Sequence, residues 1–310
     1  MGTIIHEVGM RDGLQIERAV VPTELKIRWL EALIDSGVDI VQLGSFVHPG
    51  KVPQMADTDR LFAHFTQPGR KPRPVVLSGL VLNEKGLDRG LACGVEQFCM
   101  GVSASDTHSR KNTGMGTEEA AERIIAMART AAEAGKAVQM SVQSAFGCGY
   151  EGTVPEERVL SIVRRYLEAG LKTISLADTA GHATPEAVER LFASVLALDP
   201  EAECACHFHD TYGLAMANAH AAFRCGVRYF EAAFAGLGGC PFTATAAGNL
   251  CTEDFVHLLQ RMGLRRDIRL DKLIATAAEA GRYLRRTLPG TVHRSGPIPE
   301  VRPDVQTAPG

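Results

Sequence analysis

The chain has no apolar run approaching the ~20 residues that cross a bilayer, so a spanning helix is excluded. It has no surplus of positive charge: the net charge is -3, the pI is near 6.4, and the arginines are scattered, so nothing would draw a nucleic-acid backbone. Its eight cysteines form no CxxC pair and sit mostly in apolar strand or helix patterns, which excludes zinc fingers and a disulfide framework and fits reduced thiols in a cytosolic enzyme. No GxGxxG follows the first strand pattern and no P-loop occurs, so dinucleotide and P-loop chemistry lack support. The first strand pattern starts at about Thr3, so a cytoplasmic enzyme without a leader is expected.

What is present is a globular composition, 45% hydrophobic and 22% charged, enough for a sizeable core without staples. Short β-branched runs alternate with longer helical patterns about eight times, the signature of parallel βα units. Strands are predicted near 3–8, 38–43, 74–80, 95–101, 137–143, 172–177, 203–209 and 228–234. Eight units favour closure, so the expected fold is an α/β TIM-type (β/α)8 barrel with an additional C-terminal helix at 270–288; a doubly wound open sheet is the alternative. One barrel domain over 1–289 is expected, followed by a flexible tail at 290–310 that is rich in Pro and Gly. Thr184-Pro185-Glu186, and Thr117 before Glu118 and Glu119, read as helix starts.

Barrel enzymes carry their chemistry where strands end, and three segments there are dense in polar groups. His207 and His209 fall at i and i+2 near the end of the seventh strand, so both imidazoles point one way while Cys206 and Phe208 point the other. Such a pair suits metal ligation, although hydrogen-bonded structural histidines have the same spacing. The first strand runs into Glu7-Val8-Gly9-Met10-Arg11-Asp12-Gly13-Leu14-Gln15, where an ordinary solvated turn is the plain alternative. The last loop reads Gly236-Leu237-Gly238-Gly239-Cys240-Pro241-Phe242 before Gly248-Asn249-Leu250; glycines beside one cysteine suit either a lid that carries a thiol or a plain flexible loop.

Together these segments resemble the hydroxymethylglutaryl-CoA lyases of the DRE-TIM metallolyase superfamily. The likeness extends through Ser45-Phe46, Val52-Pro53-Gln54-Met55, Lys111-Asn112, Tyr150-Glu151-Gly152 and Ser175 to Thr179, and it covers about residues 3–288. The resemblance implies that Asp12, His207, His209 and Asn249 ligate a divalent ion, Mg²⁺ or Mn²⁺. It further implies that Arg11 stabilises an enolate oxygen, that Cys240 moves a proton, and that Glu7 and Asp178 support the site. The substrate would be an acyl-CoA, cleaved to acetyl-CoA or another acyl-CoA and an oxo acid. Candidate substrate contacts are Gln15, Gln42, Lys111, Asn112, Gln139 and Ser141, and a homodimer is the expected assembly.

The pattern departs from that family on two strands. Gln42 stands where the lyases usually have glutamate, and Gln139 and Ser141 stand where arginine and tyrosine are usual. Losing a carboxylate and a guanidinium together avoids leaving either charge buried alone, so an altered acyl pocket is expected. A Claisen-type synthase, a CoA-independent aldolase and a non-catalytic binding barrel are the competing functions; the Cys240 loop and short C-terminal region argue against the first, and the retained ligand set against the last.

Overall fold

The computed structural model describes residues 2–239 and 248–299. Eight parallel strands close into a barrel in sequence order: β1 (Ile4–Glu7), β2 (Ile40–Ser45), β3 (Val76–Leu80), β4 (Gln97–Ser103), β5 (Ala137–Gln143), β6 (Thr173–Asp178), β7 (Glu203–Phe208) and β8 (Tyr229–Ala232). Closure comes from β1 pairing with β8, with Ile4 opposite Tyr229 and Glu7 opposite Ala232. The expected barrel is therefore the observed one, and every predicted strand limit lies within two residues of the observed one. A further helix, Leu270–Leu284, packs on helix Thr23–Ser36 and stops where Arg285 turns left-handed.

Alternation along each strand sorts the chemistry into two layers. On β5, Val138, Met140 and Val142 face the surrounding helices while Gln139, Ser141 and Gln143 share the opposite face. The inward layer here is polar rather than the usual Val, Ile and Leu filling of such barrels. His6 bonds Ser78 at 2.7 Å, Gln97 reaches Gln139 at 3.5 Å, and all four are buried. A polar barrel interior costs stability unless its members are paired, so its presence points to a site above it.

Two local features aim that site. β1 runs straight into a single π-turn, Gly9–Gly13, in which Val8 O accepts from the amides of Arg11, Asp12 and Gly13. Such turns concentrate at functional sites because they rotate one side chain out of helical register. On β2 the register shifts between Gln42 and Gly44, a bulge beside the barrel mouth. Thr184 caps its helix as expected, accepting from Ala187 N at 3.4 Å. Thr117 does not cap: it lies inside the helix Thr117–Glu133, its hydroxyl donates to Ser103 O at 3.0 Å, and Asp106 accepts its amide at 2.9 Å.

The segment after Pro289 is held at its start. A short helical turn, Val292–Ser295, rests on helix Thr252–Arg261. No helix of the described residues is long and apolar enough to cross a membrane.

Candidate active site

The two imidazoles do converge with the carboxylate that follows Arg11. His207 Nε2 and His209 Nε2 stand 3.1 Å apart, and Asp12 Oδ2 lies 3.7 Å from the first and 3.8 Å from the second. These donor atoms all lie within 4.8 Å of one another, the spacing of ligands around one cation. Asn249 completes the ring, its amide 2.9 Å from Asp12 Oδ2. β7 itself ends at Phe208, and an isolated bridge between His209 and Asn249 holds those two residues together.

The donor set fits a divalent ion. Asn249 Oδ1 is buried without a hydrogen-bond partner among the described residues, an arrangement that costs free energy unless something else uses the oxygen. Burial alone would raise the Asp12 carboxyl, but Arg11, His207 and His209 hold it well below the usual carboxylate range. Burial and the neighbouring His207 push the His209 imidazole down to about 4, so at neutral pH it carries a lone pair free to ligate.

One member of the site was not foreseen. Glu231, on β8, is 6% exposed and sits directly in register with His207. Its Oε2 bonds His207 Nδ1 at 2.9 Å, while Oε1 accepts from Ser175 Oγ at 3.0 Å and from the Gln139 amide. Burial would raise its carboxyl, but the bond to His207 and that ring's charge bring it down to about 2. A carboxylate on the far nitrogen of a ligating histidine fixes the ring's tautomer and orientation. The signal in the sequence was a lone acid inside an otherwise apolar run, Tyr229-Phe230-Glu231-Ala232-Ala233.

A cavity of about 760 Å³ opens at this mouth. Arg11, Asp12, Gln15, Gln42, Gln139, Ser141, His207, His209 and Glu231 line its inner part. The Arg11 guanidinium spans Gln42 Oε1 and Asp12 Oδ1, tying β2 to the corner formed by Asp12, His207 and His209. The rest of the lining comes from the loop after β2, with Lys51, and from the helices that follow β3 and β4, with Lys85, His108, Asn112 and Arg123. Lys111 is not brought to the cavity; it is exposed and its Nζ lies 3.6 Å from the centroid of the Tyr150 ring.

Glu7 and Asp178 turn into loop backbone instead of the cavity. Glu7 accepts from Gly9 N at 2.7 Å, Phe234 N at 3.1 Å and Thr252 Oγ1 at 2.5 Å, so one carboxylate ties the first loop to the last. Burial nevertheless pushes its carboxyl up to about 7. Asp178 accepts from His182 N at 2.8 Å and Ala183 N at 3.0 Å, fixing the loop after β6. Cys240 lies outside the described residues.

Fold and ligand cluster together define a closed (β/α)8 barrel with a carboxylate, an amide and two imidazoles gathered at its C-terminal mouth, the architecture of a metal-site barrel enzyme. The chain belongs to the HMGL-like family, whose model matches residues 3–279, within the DRE-TIM metallolyase superfamily. Among its relatives is the hydroxymethylglutaryl-CoA lyase YngG of Bacillus subtilis, 35% identical over 285 residues that cover 92% of this chain and 94% of the relative. The mitochondrial hydroxymethylglutaryl-CoA lyase of Rattus norvegicus is 38% identical, with 93% and 88% covered. An HMG-CoA lyase from Acinetobacter baumannii, solved with coenzyme A and 3-methylmalate, superposes with a TM-score of 0.89 at 35% identity, covering 97% of each chain. The enzyme from Pseudomonas aeruginosa gives a TM-score of 0.88 at 32% identity, covering 95% of this chain and 97% of that one.

Proposed function

We propose that this chain is a hydroxymethylglutaryl-CoA lyase-like carbon-carbon lyase that uses a divalent ion, Mg²⁺ or Mn²⁺, to cleave a 3-hydroxyacyl-CoA into acetyl-CoA, or another acyl-CoA, and an oxo acid. The observation that carries the reading is the convergence of Asp12, His207 and His209 within 4.8 Å, with Asn249 on the same carboxylate. Oxygen and imidazole ligands without thiolate suit a hard or borderline ion.

Cleavage beside a tertiary or secondary alcohol needs the hydroxyl proton to leave and the departing thioester enolate to be stabilised. A divalent ion bound to Asp12, His207, His209 and Asn249 would supply the first requirement by lowering the hydroxyl pKa. Arg11 answers the second: its cation lines the cavity beside Asp12, where it faces negative charge that develops on the thioester oxygen. Glu231 holds His207 in one tautomer, and Glu7 and Asp178 keep the loops in place. By family resemblance Cys240 delivers the proton that completes the acyl-CoA product. Lys51, Lys85 and Arg123 at the outer rim offer cations to the phosphates of CoA, with Arg123 shared with Glu84.

The acyl end of the cavity carries Gln42, Gln139 and Ser141, so the preferred acyl group differs from hydroxymethylglutaryl; the methyl-branched hydroxy diacid bound by the Acinetobacter relative marks one class to include. Purified protein with Mg²⁺ or Mn²⁺ is offered a panel of 3-hydroxyacyl-CoA esters, and the released acyl-CoA is followed by mass spectrometry. Chelator-sensitive cleavage of at least one ester is expected, with hydroxymethylglutaryl-CoA a poor substrate. Release of no thioester product from any ester excludes the lyase reading, and full turnover of hydroxymethylglutaryl-CoA excludes the altered pocket. A homodimer and a cytoplasmic site of action belong to the same proposal, the first checked by light scattering on the eluting protein.

A further inference from the structure

Asn249 is held by a chain of contacts that begins at the far end of the polypeptide. Its backbone amide donates to Leu237 O at 3.2 Å and its side-chain amide to the same oxygen at 2.9 Å. Two residues before Leu237, Ala235 adopts φ 60°, a left-handed conformation that is strained for a residue with a Cβ. Both of its backbone groups are clamped. Its N–H donates to the two carboxylate oxygens of Glu253, at 3.1 and 2.9 Å, and its carbonyl accepts from Gly290 N at 3.0 Å.

The C-terminal segment closes this clamp. His293 Nδ1 bonds Glu253 Oε1 at 3.0 Å, and Glu253 is fully buried. Asp254 accepts from Thr291 N and Val292 N, seating the hook on the same helix. Only glycine fits at 290, since a Cβ there would stand 2.7 Å from Cys251 Sγ and 2.9 Å from Glu253 Oε1.

We infer that Glu253 and His293 are positioning residues for the ion-binding corner: the C-terminal hook fixes Ala235 in its left-handed turn, Ala235 sets Leu237 O, and Leu237 O sets Asn249 against Asp12. The segment after Pro289 is thereby part of the site's construction and not an appendage. The inference rests on the proposed metal reading for its functional meaning, but the mechanical link stands without it.

The test compares wild type, His293→Ala, His293→Asn and a chain ending at Leu288. Mn²⁺ affinity is measured by calorimetry, and exchange of the Asn249 amide is followed by mass spectrometry in metal-free protein. His293→Ala and the shortened chain are expected to bind Mn²⁺ about tenfold or more weakly, and to exchange the Asn249 amide at least tenfold faster, with far-UV circular dichroism unchanged. His293→Asn, whose amide N–H can take the place of Nδ1–H, is expected to restore most of both. Should the shortened chain fail to fold, His293→Ala decides alone. Unchanged exchange at Asn249 in His293→Ala overturns the inference. Absent Mn²⁺ binding by wild type overturns the metal reading instead, and leaves the exchange result to judge the hook.

Discussion

Two walls of the same cavity follow opposite rules. The wall built by β1, β7 and β8 gathers charge and imidazole: Asp12, His207, His209 and Glu231, each tied to at least one other by a short contact. The wall built by β2 and β5 presents Gln42, Gln139 and Ser141, neutral groups that can donate or accept. A charged wall tolerates little change, because removing one member strands another buried charge, whereas exchanging one neutral group for another strands none. On the function proposed above, the first wall would fix the chemistry and the second would select the acyl group.

The largest expected effect breaks the charged wall. His207→Ala or Asp12→Ala should abolish tight Mn²⁺ binding and lower thioester cleavage on the order of 10³-fold, since a bound ion is worth several kcal/mol of transition-state stabilisation. Calorimetry and single-turnover cleavage check both; retained binding in either variant would dissolve the distinction between the walls. Next comes Glu231→Gln, which leaves every ligand in place but loosens the His207 ring. Mn²⁺ affinity should fall roughly 10–100-fold, and an unchanged affinity would demote Glu231 to a packing residue.

The neutral wall is tested by restoring the charges usual in the family. Gln42→Glu and Gln139→Arg should each reduce kcat/KM for the preferred ester, while the double variant should recover and shift preference toward hydroxymethylglutaryl-CoA by on the order of tenfold. The mechanism is mutual compensation of a buried pair, so additive losses would refute it.

The smallest effect concerns Glu7, which faces away from the cavity and joins the loop after β1 to the segment after β8. Its carboxyl rises from about 4.5 in the unfolded chain to about 7 when buried. Between those values the folded state binds more protons, so this group's contribution is full below pH 4.5 and fades as the pH climbs through 7. Glu7→Gln should flatten the decline in melting temperature across that window; an identical slope in both proteins would show that Glu7 stays ionised throughout.

How much of this was legible in advance depends on whether a residue's role is local. The i and i+2 spacing of His207 and His209 fixes a shared strand face whatever the rest of the chain does, and the contrast of Val138 and Met140 with Gln139 and Ser141 does the same for β5. Membership of a motif does not state direction: the Lys111 side chain turns to Tyr150 while Asn112, one residue on, lines the cavity. Glu231 was missed because its partner His207 is 24 residues away and meets it only through the pairing of β7 with β8.

The sequence by itself determined the number of strands, the face each side chain takes and the identity of the groups at the strand ends, because backbone periodicity and residue chemistry are local properties. The tertiary structure decided which of those groups meet. Closure of β8 onto β1 brings Glu7 to Thr252 across 245 residues and Asp12 to Asn249 across 237. Such contacts are paid for by the packing of the whole barrel, so no short window of sequence contains them.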